Sequence, residues 1–289
     1  MLAEPERDAY LARLGLEAEP PSADALARIH RAHAERVPWE TLWIHLGEVW
    51  GLDPVESAAR IGGSDRGGYC FHLNGALAEL LAALAYDVTR HVGGVHGPGG
   101  PTAGDMANHL VLTVVGLPSD ANPGGAWYVD AGLGDTLHRP LPLVPGGYDE
   151  RPFHLVLDRT PEPGTVGDWH LTHDTAGSFP GMAWWSGPTG MDAFAERHRW
   201  LSTSPDSGFV RVLTVQRRDA TGVDILRGLT LSRIGDRAAR TTVASAAELA
   251  AALGDVFAID PLRIEPAAFA DMWRRAQAEH AAWEAAARP

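Results

Sequence analysis

Lysine is absent from the 289-residue chain; all 24 basic residues are arginine. Without lysine there can be no Schiff-base chemistry, no pyridoxal-phosphate lysine and no P-loop lysine. Phosphate-binding glycine motifs are absent as well. There is one cysteine, Cys70, so neither an intrachain disulfide nor a cysteine-only zinc site can form. Cys70 is therefore either a buried structural thiol or a reactive one. No run of roughly 18 or more uncharged apolar residues occurs, the length a spanning helix needs. The first residues, MLAEPERDAYLARLGL, carry acids where a signal peptide carries positive charge. A cytoplasmic protein with no membrane partner is expected. The formal net charge of −13 argues against nucleic acid, whose phosphates need a basic footprint. It leaves room for an anionic co-substrate held by a local group of arginines.

Two patterns alternate along what remains. The first 85 or so residues read as helical. Ser22 is placed to cap a helix through Leu26, Ile29 and His33 that stops before Pro38. Phe71 to Tyr86 carries Leu73, Leu77, Leu80, Leu81 and Leu84 at helical spacing. From Thr89 to about Trp200 short apolar runs alternate with Gly/Pro turns. His109–Val115, Trp127–Asp130 and Phe153–Leu157 read as strands of a sheet or small barrel. Gly93 to Gly104 reads as a loop leading into the His109 strand. Further on, Phe209–Val215 and Leu226–Leu231 read as strands. Ser245 to Glu248 has capping-box spacing before a short helix that Gly254 ends. Pro266 to about Ala286 reads as an amphipathic terminal helix. His30 and His33 lack a clustered third ligand and read as surface or core residues; no metal is expected. The ten tryptophans, Trp184-Trp185 among them, read as core and pocket wall.

Cys70 falls at a helix start, after Arg66-Gly67-Gly68-Tyr69. Free N–H groups and the helix dipole favour an anion there, and a thiolate is the form that attacks an acyl carbon. A neighbouring imidazole could deprotonate it, with a carboxylate fixing the tautomer. Thirteen histidines are available. His109 opens an apolar strand and Asp130 ends the next, so the two ends can meet at the helix start. A buried structural thiol and a simple turn acid are the alternatives.

Arg66-Gly67-Gly68-Tyr69-Cys70, with Phe71, Leu73 and Asn74 following, resembles the RGGxC signature of arylamine N-acetyltransferases. Arg36 to Leu42 is similar to the family's IPFENL segment, and His109-Leu110-Val111-Leu112 to the strand bearing its histidine. Val129 to Gly134 is similar to VDVGFG, Leu201 to Phe209 to STSPxSxF, and Leu226-Arg227-Gly228 to a further family strand. All occur in family order. The resemblance implies an α+β fold with a papain-like Cys-His-Asp triad. Its parts are an N-terminal helical bundle (1–88) carrying the cysteine, a central β-barrel (89–200) carrying the histidine and aspartate, and a C-terminal α/β lid (201–289).

It implies ping-pong acyl transfer from acetyl-CoA, or another acyl-CoA, through Cys70 to a small arylamine or hydrazine. His109 is then the base and Asp130 its orienting acid, with no permanently bound cofactor. Trp39, Tyr69, Phe71, Val95, Gly132, Leu133 and Phe209 are expected to line the substrate cleft. Four positions depart from the family pattern, Trp39 among them, where the family has a phenylalanine. His72 stands where the family has an acid, and reads first as a surface or capping side chain. Leu133 replaces the aromatic that commonly lines the acceptor pocket. Thr41 replaces a buried amide. His72 and Leu133 motivate an alternative, an amide synthase that releases or cyclises a polyketide or peptide chain from an acyl carrier protein onto an amine.

Overall fold

A computed structural model describes residues 2–135, 137–160 and 166–286. The outer limits of the first and third expected segments, at 1 and 289, lie outside the described residues. Five helices come first: α1 (Glu4–Leu14), α2 (Ala23–Arg36), α3 (Leu42–His45), α4 (Pro54–Gly63) and α5 (Cys70–Ala83). Between α2 and α3 runs a two-residue strand, β1 (Trp39–Glu40). The Ser22 hydroxyl caps α2 by accepting from the Ala25 N–H at 3.1 Å. The helix stops where Val37, ahead of Pro38, turns extended. In α5 every residue from Cys70 to Leu81 except Glu79 is buried. It is the axis of the bundle, a helix apolar nearly all round because other elements cover every face.

The second layer is a curled sheet, near-closed into a barrel. Its strands are β2 (Asp87–His96), β3 (His109–Val115), β4 (Trp127–Val129), β5 (Leu141–Pro142), β6 (Gly146–Glu150), β7 (Phe153–Arg159), β8 (Trp169–Thr172) and β9 (Gly181–Pro188). Their order across the sheet is β5-β4-β3-β2-β9-β8-β7-β6. Leu141 from one edge and Leu155 from near the other share a single core with Tyr128, Met182 and Trp184. A flat sheet could not bring them together. Gly93 and Gly94 were expected in the loop, but both lie in β2: Gly93 pairs with His109 and Gly94 with Ala183. The connection to β3 therefore starts only at Gly97.

The last third completes the lid. Helices α6 (Ala195–Thr203) and α7 (Gly208–Arg211) lead into β10 (Thr214–Arg218), β11 (Gly222–Arg227), β12 (Thr230–Gly235) and β13 (Ala239–Thr242). Helices α8 (Ala246–Ala251) and α9 (Pro266–Ala286) follow. The lid sheet runs β1-β10-β11-β12-β13, so Trp39 and Glu40 pair with β10 across the chain. Two expected strands change. Phe209 sits in α7, started by the Ser207 hydroxyl accepting from its N–H at 3.2 Å, and the strand begins only at Thr214. Leu226–Leu231 is a hairpin, not one strand. Arg227 pairs with Thr230, and Gly228 takes φ +56° in the two-residue turn. Ser245 caps α8 as expected, accepting from Glu248 N–H at 3.2 Å. Helical turns nevertheless continue through Gly254 to Val256. Among the described residues no helix is long and apolar enough to cross a membrane.

Candidate active site

Cys70 is the first residue of α5, and two glycines make its approach possible. A β-carbon on Gly67 would fall 1.9 Å from the Pro38 carbonyl oxygen, and Gly68 takes φ +122°. The turn is pinned by β1, whose Glu40 N–H donates to Gly68 O at 2.9 Å. The Arg66 Nε in turn donates to the buried Glu40 carboxylate at 3.1 Å. These contacts hold the sulfur at the bundle edge, 4% exposed, with the thiol 3.7 Å from the Asn108 carbonyl.

His109 opens β3 and Asp130 immediately follows β4. The β3–β4 register, Leu112 opposite Val129, sets the start of β3 against residues 130–132. His109 Nε2 donates to Asp130 Oδ2 at 2.7 Å. This leaves Nδ1 to serve the Cys70 thiol, which shares the wall of one cavity with the ring. Tyr128 Oη–H donates to the same Oδ2 at 2.9 Å. Asp130 Oδ1 accepts from Asn74 Nδ2 at 2.7 Å and Gly132 N–H at 2.9 Å. Asn74 also donates to Leu110 O at 2.6 Å and accepts from Ala131 N–H at 3.0 Å. One amide thus ties α5 to both barrel strands.

These contacts decide the charge state. Burial disfavours an imidazolium at His109, but the Asp130 charge, its hydrogen bond and the Cys70 side chain outweigh burial and raise the pKa to about 10. Burial also opposes a charged Asp130. His109, Asn74 and the Gly132 N–H overcome that and hold the carboxyl below its usual range. The site favours a protonated imidazole beside a carboxylate.

A cavity of about 340 Å³ opens over the sulfur. Trp39, Val95, Gly132, Leu133 and Phe209, all expected there, stand in its wall with Cys70 and His109. Tyr69 and Phe71 do not. Tyr69 is fully buried behind Phe209, with ring centroids 5.2 Å apart, and Phe71 points into the bundle against Phe194 at 4.9 Å. Both flank Cys70 at the helix start, where adjacent side chains fan to different faces. His72 is likewise no surface residue. It is fully buried among Trp43, Trp50, Tyr69 and His198, its Nε2 3.1 Å from Gly51 O. Burial holds it well below the usual histidine range. The Thr41 hydroxyl accepts from Thr214 N–H at 3.0 Å, so a hydroxyl meets the β10 backbone here. Leu133 leaves the wall aromatic all the same, because Phe179, in the β8–β9 turn, joins Trp39 and Phe209. Phe179 carried no sequence signal. Asn74 and Tyr128 carried faint ones, at i+4 from Cys70 on a helix and i−2 from Asp130 along a strand.

A thiol at a helix start, an imidazole and a buried carboxylate, shared between a helical bundle and a barrel, define a papain-like class of cysteine protein. A family profile described as N-acetyltransferase matches residues 22–263, and the chain belongs to the arylamine N-acetyltransferase family. It is 29% identical to an arylamine N-acetyltransferase of Gallus gallus, pineal gland isozyme NAT-3, over 78% of this chain and 82% of that protein. It is 30% identical to the arylamine N-acetyltransferase of Mycolicibacterium smegmatis over 71% of this chain and 74% of that protein. Among solved structures, the M. smegmatis enzyme superposes with a TM-score of 0.79 at 28% identity, covering 92% of this chain and 97% of that one. The Mycobacterium marinum enzyme in complex with CoA gives 0.79 at 25% identity, covering 93% and 97%. The amide-synthase alternative draws no support from these relatives.

Proposed function

We propose that this acyltransferase moves an acetyl group from acetyl-CoA through an acetyl-Cys70 intermediate to a small amine of the arylamine or hydrazine type. The observation that carries the reading is the His109 ring, bonded to the buried Asp130 carboxylate at 2.7 Å and standing with the Cys70 thiol in the wall of one cavity.

His109 takes the thiol proton, and the Cys70 sulfur attacks the thioester carbonyl. The Cys70 N–H opens α5, where an N–H has no intrahelical acceptor, and we assign it to the developing oxyanion. Collapse of the tetrahedral adduct breaks the C–S bond to CoA, and the imidazolium returns its proton to the departing thiolate. An amine then attacks acetyl-Cys70, His109 takes the amine proton, and the amide leaves with the cysteine restored. Asp130 keeps the imidazole in the Nε2–H tautomer throughout. The order is ping-pong because donor and acceptor meet the same sulfur in turn. The cytoplasmic setting expected from the sequence stays part of this reading.

The test is intact-protein mass spectrometry after incubation with acetyl-CoA and no amine. One acetyl group is expected on the wild type, removed by later addition of an arylamine, and none on Cys70→Ala. A wild type that stays unmodified at every acyl-CoA tried sinks the reading.

A further inference from the structure

Two buried titratable side chains take no part in the transfer chemistry, and both stand behind one wall of the cavity over Cys70. Asp135 follows directly on Gly134, and His173 follows directly on β8. Their side chains are fully buried, with His173 Nε2 3.5 Å from Asp135 Oδ1. Neither ring nitrogen of His173 makes a hydrogen bond among the described residues. Such groups are costly in a core unless their surroundings repay them, so what they meet is informative. They meet the β8–β9 turn residue by residue. Gly177 lies so close to the imidazole that an added β-carbon would fall 2.3 Å from Cε1. The Ser178 N–H donates to Asp135 Oδ2 at 2.7 Å. The Phe179 ring stands at 84° to the His173 ring, centroids 4.8 Å apart. Ser178 and Phe179 in turn line the cavity that holds the sulfur. Thr175, Ala176, Ser178 and Pro180 are exposed while Phe179 is half-buried. The turn is therefore the rim of the cavity on this side, and Phe179 is the ring it directs inward.

We propose that Asp135 and His173 are positioning residues that hold Phe179 at the rim as a screen against water, so that acetyl-Cys70 lasts until an amine arrives. The inference rests on the acetyl-transfer reading above and adds to it. In the competing reaction water adds to the thioester carbonyl, the C–S bond breaks, and acetate and the Cys70 thiol are left. An apolar ring at the mouth of a half-enclosed site limits the water available for that attack. The turn's own bonds, from the Ala176 and Gly177 N–H groups to Asp174, tie it only to itself. The Asp135 bond ties it to the opposite wall, because Asp135 continues the segment whose Gly132 and Leu133 line the same cavity.

The enzyme is acetylated with acetyl-CoA, freed of CoA by rapid desalting and left without amine, while intact-protein mass spectrometry follows loss of the acetyl group. Phe179→Ala should speed that loss about tenfold, and Asp135→Ala and His173→Ala should approach the same rate. Asp135→Asn, whose amide oxygen can still accept from the Ser178 N–H, should restore most of the protection. Effects of Phe179→Ala and Asp135→Ala should not add in the double variant, because both act through one ring. Amide hydrogen exchange across residues 174–181 should quicken in Asp135→Ala and much less in Asp135→Asn. Thermal unfolding checks that each variant is folded. A wild-type rate of loss in Phe179→Ala, fully additive effects in the double variant, or unchanged exchange in Asp135→Ala overturns the proposal. A wild type that never takes up an acetyl group overturns the acyl-transfer reading and the screening role with it, and hydrogen exchange then still decides whether Asp135 anchors the turn.

Discussion

Tyr128 and His109 donate to the same oxygen of Asp130, Oδ2, at 2.9 and 2.7 Å. With Asn74 and the Gly132 N–H on Oδ1, the carboxylate accepts four hydrogen bonds in a site where it is 1% exposed. A buried carboxylate persists as an anion only when its lone pairs are met in this way. The Tyr128 ring is itself fixed by stacking on Trp184, with centroids 4.9 Å apart and planes at 18°.

Tyr128→Phe keeps the ring and the stack and removes one donor. It should cost about 1–2 kcal/mol of stability and slow acetyl-Cys70 formation severalfold to about tenfold through a looser Asp130. Urea unfolding and a single-turnover measurement of CoA release check both. Wild-type values in the two assays would mean that the hydroxyl positions nothing.

Gly132 lies where the barrel turn passes over Cys70, the proposed nucleophile. A β-carbon there would sit 2.8 Å from Cys70 Cα and 2.8 Å from Asn74 Nδ2. Gly132→Ala must push the helix start and the turn apart, costing about 1–3 kcal/mol. A shift on this scale should slow acylation about a hundredfold. Gly97→Ala is the control, since nothing lies within 4 Å of that added carbon. Stopped-flow CoA release on both variants reads the contrast.

Stability should be bounded on both sides in pH. His30, His33, His45, His72, His91 and His198 are all held by burial below the ordinary value of 6.5, His45 to about 4 and His33 to about 3. The unfolded chain binds protons at these positions first. Stability should therefore fall as pH drops below about 6.5, through about 4 for His45 and about 3 for His33. His109 has the opposite sign. Its folded pKa of about 10 lies above its unfolded value, so its contribution is complete below about 6.5 and is lost as pH rises through about 10. Urea midpoints should stay near their maximum around pH 7 and decline towards pH 5 and towards pH 10. His33→Gln, which can still meet the Tyr10 hydroxyl (2.8 Å from His33 Nε2), should flatten the acid side. A midpoint that climbs as pH falls to 5 would contradict these assignments.

Much of this arrangement was written locally. Ser22, the Gly67-Gly68 pair and the His109–Val115 run act on their own neighbours, through a cap, a turn and strand alternation. They are readable without knowing what lies across the fold. His72 reads as a surface residue for a related reason: α5 is covered on every side, so its sequence offers no polar stripe to say which residues face water. Phe209 reads as strand in the sequence because an apolar run looks alike in a strand or a short helix. Only the Ser207 cap separates them.

The linear chain singled out the side chains of the proposed chemistry: a lone cysteine at a helix start, a histidine opening a strand, an aspartate closing the next, and no lysine to compete. Tertiary structure alone decided their company. Register between β3 and β4 set His109 against the Asp130 turn, curling of the sheet brought Phe179 over the sulfur, and α6 carried Arg197 into the same chamber. Such contacts join residues tens of positions apart. Their energies come from burial and hydrogen bonds that exist only after the chain has closed on itself, so no local pattern can announce them.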